Sequence, residues 1–254
     1  MISFNNLGRY GKLGNQMFQY ATLMNVADKL GVSCCAPVSN AFSIGGCFSL
    51  GSVEDKVSEN VSNVFMEKGF WYQDSVFELD PSVDSDIIGY FQSEKYFSRI
   101  EDLIRKEFVF KDEVLKSTKN VGAEDKVALH IRRGDYMYLT DVHPVQDKDY
   151  YLEAMSHFPD SQFLIFSDDI NWCRNADLFR GGEENGFHFA EGNQYQDLYS
   201  MSKCRGHIIA NSSYSWWGSW LSENSEKTIA PKDWFGPKGP IEWQDVYCDG
   251  WVVI

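Results

Sequence analysis

The sequence lacks the features that would put it in a membrane, in a disulfide-stapled scaffold or on nucleic acid. No stretch of its 254 residues approaches 18 consecutive apolar positions, and the N-terminus shows no basic region followed by an apolar run. Neither a membrane span nor a signal peptide is expected. Cysteine is sparse: Cys34, Cys35, Cys47, Cys173, Cys204 and Cys248 are too few to staple a chain this long, and none stands in a Cys-x-x-Cys pair. A reducing, cytoplasmic location is the expectation. With five histidines, none clustered with the cysteines, a structural zinc site is not expected. Basic residues are also short. The 23 Lys and Arg against 37 Asp and Glu leave a net charge of −14, the wrong balance for a nucleic-acid partner.

What is present is a globular composition, 43% hydrophobic and 15% aromatic. The length suits one large domain or two small ones. The second half reads clearly as α/β. Short apolar runs at 127–131, 163–166, 187–190 and 207–210 have the length and flanks of buried strands. Helical spacing appears between them at 150–158, around 172–176, at 194–203 and at 216–221, and 228–230 is a further short strand. Strands alternating with helices of about ten residues predict a parallel sheet covered on both faces.

The first half is harder to read. Residues 1–4 read as a short strand. A loop carrying Gly8, Gly11 and Gly14 leads into a helix over 15–30, closed by Gly31. A strand is expected over 32–38, loop over 40–64, a strand or interface over 65–77 and a strand near 87–91. A helix is expected over 96–108, and the polar stretch 111–125 reads as the linker between halves. Trp216, Trp217 and Trp220 sit at helical spacing and are expected in the core.

One strand ends in a way that packing does not explain. Val127 to Ile131 is apolar apart from His130, then stops on Arg132, Arg133, Gly134 and Asp135. Adjacent guanidinium groups at a strand end make an anion site, because the fork matches phosphate or carboxylate bidentately. In open α/β sheets ligands lie beyond the carboxyl ends of strands. The other predicted strands end there on Ser167, Asp168 and Asp169, on Glu191, and on Asn211, Ser212 and Ser213. Cations, hydroxyls and carboxylates along one edge suit a nucleotide.

Five segments resemble the α-1,2-fucosyltransferase family, glycosyltransferase family eleven. His130-Ile131-Arg132-Arg133-Gly134-Asp135-Tyr136 resembles its His-x-Arg-Arg-Gly-Asp motif. In the same order, 13–21, 89–97, 166–169 and 210–218 resemble its other blocks, so the likeness runs from 13 to about 231. One departure is Lys12, where the family has glycine; it is expected to point to solvent. Another is the short segment 37–70, in the half that the resemblance assigns to the acceptor.

The resemblance implies a GT-B type α/β fold, two Rossmann-like domains facing across a cleft. These would be an N-terminal acceptor-side domain, 1–120, and a C-terminal GDP-fucose-binding domain, 121–254. It implies transfer of L-fucose from GDP-β-L-fucose, with inversion, to the 2-hydroxyl of a terminal β-galactoside. Arg132 would hold the diphosphate, with Ser212, Ser213 and Ser215 near the phosphates and Asp168 or Asp169 reading guanine. His130, Arg133, Asn211 and the loop residues Gly14, Asn15 and Gln16 complete the implied donor set. Inversion needs a general base, for which Asp135, Asp141 and His143 are the candidates that follow the arginines. Asp168-Asp169 lacks the spacing of a metal-binding Asp-x-Asp and the arginines supply positive charge, so no metal and no other cofactor is expected. The competing readings are an inactive GDP-sugar or glycan-binding module and a transferase of another GDP-sugar or linkage.

Overall fold

The structure, a computed structural model, describes residues 1–39, 44–119 and 121–254. It divides into two compact units, Met1–Asp112 with Glu242–Cys248, and Glu113–Ile241 with Asp249–Ile254. Each unit is built on its own parallel sheet.

In the first unit the strands are β1 (Ile2–Ser3), β2 (Cys34–Ala36), β3 (Glu54–Asp55), β4 (Asn63–Met66) and β5 (Ser85–Ile88), in the order β3-β2-β1-β5-β4. The helix Leu13–Leu30 follows β1, and most of its side chains are buried. Gly31 ends it in the left-handed conformation at φ 67°, its N–H returning to the carbonyls of Ala27 and Asp28. The loop expected over 40–64 lies partly outside the described residues. The rest of it holds a short helix, Ile44–Cys47, and strand β3. The helix expected over 96–108 is broken into two 3-10 turns and a helix at Glu101–Glu107. Phe97 breaks it, at φ −144° and ψ 2°. Periodicity misled here because Phe97, Ile100, Ile104 and Phe108 are all buried, whatever the backbone does between them.

In the second unit β6 (Lys126–Ile131), β7 (Gln162–Ser167), β8 (Phe187–Phe189), β9 (Gly206–Ile208), β10 (Thr228–Ala230) and β11 (Val252–Val253) form a sheet in the order β11-β10-β9-β6-β7-β8, all parallel. Alternate residues feed two cores, as the period of two in a strand requires. Val127, Leu129, Ile131, Phe163 and Ile165 pack on one face with Tyr150, Tyr151 and Ala154. Ala128, Leu164 and Phe166 pack on the other with Met201 and Cys204. Trp216, Trp217 and Trp220 are buried, as their spacing predicts.

The division at Asp112 and Glu113 precedes the expected boundary between 120 and 121. The polar stretch is not a free linker. It folds into a helix, Asp112–Ser117, with Val114 buried, and Val121 and Ala123 join the core of the second unit. Residues 242–248 return to the first unit, where Asp245 accepts a hydrogen bond from the Tyr72 N–H at 2.7 Å and pairs with Lys95. Charge patterning alone cannot foresee a return of that kind.

Candidate active site at the carboxyl edge of the second sheet

Chain order reverses between β6 and β9. From β6 the chain steps to β7 and β8 on one side, then crosses to β9 on the other. Loops leaving the carboxyl ends of β6 and β9 therefore run apart and open a crevice, the position where open α/β sheets bind ligands. Arg132 and Arg133 follow β6 directly, and Asn211 to Ser213 follow the end of β9. The topology places the basic strand end at the switch point.

Ser212 caps the helix Ser213–Trp220, its Oγ accepting from the Tyr214 N–H. The helix N-terminus faces the same edge, adding its partial positive charge. A phenol bridges the two strand ends: the Tyr136 hydroxyl donates to the Asn211 carbonyl at 3.1 Å. Gln146 donates to Asn211 Oδ1 at 3.2 Å, and Asn211 Nδ2 donates to the Trp234 carbonyl at 3.1 Å.

The arginines are gripped by carboxylates. Arg132 Nη1 pairs with Asp168 and Nη2 with Asp135, while its guanidinium lies 4.8 Å from the Tyr136 ring centroid. Arg133 stacks 3.8 Å over the Trp172 ring, with Nε 3.3 Å from Asp169. Its backbone N–H donates to Asp168 at 2.9 Å. Asp169 also caps the helix Ile170–Asn175, accepting from the Trp172 N–H at 3.2 Å. Both carboxylates implied as guanine readers are thus engaged with the arginines and the backbone. Spacing showed that they share an edge with the arginines, but not that they pair with them.

His143 is half-buried, stacked 4.6 Å from the Tyr136 ring and 5.5 Å from Phe235. Burial pushes its pKa down and the Arg132 charge adds to that, while the Asp135 charge opposes it. His143 is therefore neutral near pH 7 and able to accept a proton. Asp141, a candidate base by sequence, instead pairs with Lys238 at 2.6 Å.

His130 faces the opposite side of the strand, 5.7 Å from the Tyr214 ring. Burial and the Arg132 charge push it down to about 3, and its Nδ1 has no partner among the described residues. Ser215 is buried, its hydroxyl donating to the carbonyls of Ala210 and Ser212, so it braces the turn. Glu191, at the end of β8, pairs with Arg174 and Lys119. Gly14, Asn15 and Gln16 belong to the first unit. There Asn15 Oδ1 accepts from Gln92 at 2.8 Å and Gln16 Oε1 from the Ile44 N–H at 3.2 Å. Sequence reasoning missed Tyr136, Gln146 and Trp172. Only Tyr136 carried a signal, as the residue next to Asp135 in the arginine motif. Among the described residues, no group of three or more His, Cys, Asp or Glu is placed to hold a metal.

Two parallel sheets in separate units, with a basic strand end at the switch point of the second, define a GT-B type α/β protein. The comparisons with known proteins narrow this class to one family. The chain belongs to glycosyl transferase family 11, whose family model matches residues 56–254. It is 34% identical over 162 residues to an alpha-1,2-colitosyltransferase from Escherichia coli, covering 59% of this chain and 56% of that protein. It is 26% identical over 234 residues to galactoside alpha-(1,2)-fucosyltransferase 1 from Bos taurus, covering 84% and 64%. The matched part of the chain thus spans less than two thirds of either relative. Among solved structures, fucosyltransferase NodZ from Bradyrhizobium aligns with a TM-score of 0.57 at 12% identity, covering 94% of this chain and 97% of that one. A NodZ alpha-1,6-fucosyltransferase soaked with GDP-fucose aligns at 0.55 and 13%, covering 91% and 94%. Both show the fold. No helix among the described residues is long and apolar enough to cross a membrane.

Proposed function

We propose that this chain is an inverting galactoside 2-α-L-fucosyltransferase. It would move L-fucose from GDP-β-L-fucose to the 2-hydroxyl of a terminal β-galactoside, without a metal ion. The observation that carries the reading is Arg132 with Arg133 at the switch point of the second sheet. The acceptor oxygen attacks C1 of the donor sugar, and the electron pair of the breaking C1–O bond goes to the β-phosphate of departing GDP. Charge grows on that phosphate as the bond breaks, and a guanidinium fork with the helix N-terminus at Ser213 meets it. Such a charge-assisted bond contributes about 1.5–3 kcal/mol in binding, and more where it strengthens in the transition state. The acceptor proton goes to Asp135 or His143, which flank Arg132 and Tyr136.

The donor belongs to the second unit in this reading and the acceptor to the first. Fucose and galactoside are supported by the name of the Bos taurus relative, and the GDP donor by the NodZ soaked with GDP-fucose. The permanent positive charge of the two arginines supports a reaction that needs no metal. A second reading is transfer of colitose, favoured by the 34% identity to the Escherichia coli protein. The test is incubation with GDP-fucose and lactose in EDTA, with the product linkage read by NMR. A 2-linked fucosyl-lactose is expected. Transfer from GDP-colitose alone would select the second reading, and GDP binding without any transfer would make the chain a binding module.

A further inference from the structure

The two adjacent arginines are held differently. Arg132 gives both terminal nitrogens to carboxylates, Nη1 to Asp168 and Nη2 to Asp135. Arg133 gives a carboxylate only its Nε, 3.3 Å from Asp169. Among the described residues, neither Nη1 nor Nη2 of Arg133 has a hydrogen-bond partner, although the side chain is only 15% exposed. A guanidinium carries N–H donors on every nitrogen, and burying most of one normally goes with pairing them. Here the forked end is left open just past β6.

What holds this side chain still is an indole. The Arg133 guanidinium lies 3.8 Å over the Trp172 ring, inside the range where the electron-rich face attracts a cation. The two residues are joined a second time through Asp169. One oxygen of that carboxylate meets Arg133 Nε, and the other accepts from the Trp172 N–H at 3.2 Å. Asp169 is itself fixed: its N–H donates to the Ser167 hydroxyl at 3.0 Å, and its carbonyl accepts from the Cys173 N–H at 3.2 Å. Indole, helix start and guanidinium form a closed circuit. Core packing does not explain Trp172, which stays 40% exposed while Trp216 and Trp217 are fully buried. Nor does the helix Ile170–Asn175 call for an indole, since its cap uses only the Trp172 backbone. The contact that sets Trp172 apart is the face it gives to Arg133.

We propose that Trp172 is a positioning residue for the donor diphosphate: its ring holds Arg133 so that the open Nη pair meets phosphate oxygens from a fixed direction. The inference rests on the nucleotide-sugar reading above and deepens it. The planar fork matches two phosphate oxygens at once, and no carboxylate has to leave either arginine. A long side chain normally loses rotamer freedom when a ligand fixes it. Arg133, stacked in advance, has already lost it. Trp172 thereby acquires a task that neither spacing nor family resemblance assigned to it.

An aromatic face and mere bulk have different signatures. GDP binding is measured by titration calorimetry on the full chain for wild type, Trp172→Leu, Trp172→Phe, Arg133→Ala and the double variant of Trp172→Leu with Arg133→Ala. Trp172→Leu keeps an apolar side chain but no aromatic face, and is expected to bind GDP about three- to tenfold more weakly than wild type, the range of a partly exposed cation–π contact. Trp172→Phe restores a face and should stay within about twofold of wild type. The loss in Trp172→Leu must vanish in the Arg133→Ala background, because Trp172 acts through that side chain. Trp172→Gln should weaken binding to the same degree as Trp172→Leu, and circular dichroism confirms that the variants are folded. Unchanged binding in Trp172→Leu overturns the inference, as do equal losses in Trp172→Leu and Trp172→Phe, which would be a matter of size. A loss that persists without Arg133 overturns it too, since the indole would then touch the nucleotide itself. Wild type that binds no GDP overturns the donor reading itself, together with what rests on it.

Discussion

The two units hold their carboxylates in opposite ways. In the second unit Asp135, Asp168 and Asp169 lie on arginine side chains at a strand end. In the first unit Glu67 and Glu107 lie mainly on backbone N–H groups. Glu67 accepts from Tyr90 at 2.7 Å and Phe91 at 3.0 Å, and Glu107 accepts from Gly51 at 2.6 Å and Ser52 at 2.8 Å. A backbone donor is fixed by the chain on either side of it, so a carboxylate held there pins a loop. An arginine carries several N–H donors, so a carboxylate held there leaves others for a second anion. Surroundings, and not residue type, separate the structural acids of this chain from the candidate functional ones.

Breaking the arginine side of this contrast should give the largest effect. Arg132→Ala removes the fork at the switch point while its neighbours Asp168 and Tyr136 keep other contacts. Turnover of GDP-fucose with lactose is expected to fall by about 100- to 1,000-fold, the scale for losing one transition-state donor. The thermal midpoint should move by only a few degrees. Near-normal turnover would remove Arg132 from the mechanism.

Breaking the pinned side should cost stability. Glu107 also accepts from the Tyr20 hydroxyl at 2.5 Å and from the Ser52 hydroxyl at 2.8 Å, and is nearly inaccessible. Glu107→Ala strands the Gly51 and Ser52 N–H groups and is expected to cost about 3 kcal/mol in urea unfolding. A loss below 1 kcal/mol would show that water replaces the carboxylate and that the pin is dispensable.

The same contrast explains what the sequence could show. The second sheet was legible because β6 and β7 are six-residue runs covered on both faces, and because the helix at Gln194–Lys203 keeps its period. β1 and β3 have two residues each, and Glu54 and Asp55 of β3 are exposed, so no apolar run marks that strand. Its place comes from long-range pairing with Cys35 and Ala36. At the site, the arginines announced themselves by standing where a buried strand ends. The Tyr136–His143 stack and the Asp168 and Asp169 pairings did not, since partners 7 to 36 residues apart are matched only once the sheet is folded. Glu67 was invisible for the same reason: its partners Tyr90 and Phe91 are brought to it by the pairing of β4 with β5.

Glu67 also sharpens the contrast through pH. Burial raises its pKa from 4.5 to about 7, although the N–H groups of Phe91 and Tyr90 pull the other way. A carboxyl raised on folding binds its proton more tightly in the folded chain. Its contribution is therefore fully present below about pH 4.5 and is lost as pH rises to about 7. Relative to Glu67→Gln, wild type should lose on the order of 2 kcal/mol across that window, read as a shift in urea midpoint. A constant difference between the two proteins would mean that Glu67 ionises normally. The backbone it holds is demanding: Phe91 sits at φ 52°, and a Cβ at Gly89 would collide with Glu67.

Ser215 is the smallest and most discriminating test, because it is a serine on the arginine side that the geometry treats as a brace. It stands in the block whose serines the family resemblance places near phosphate, yet its hydroxyl is buried and donates to the carbonyls of Ala210 and Ser212. Both acceptors are backbone groups of the turn, and both keep other donors: the Ser212 N–H reaches the Ala210 carbonyl at 2.7 Å and the Trp216 N–H reaches the Ser212 carbonyl at 3.0 Å. Ser215→Ala therefore strands no buried acceptor. It should cost about 0.5–1 kcal/mol in stability and leave the KM for GDP-fucose within about twofold. If the KM instead rises tenfold at unchanged stability, the hydroxyl turns to phosphate when the donor binds. The division between pinning and anion-binding groups would then run through this helix turn, and not between the two units.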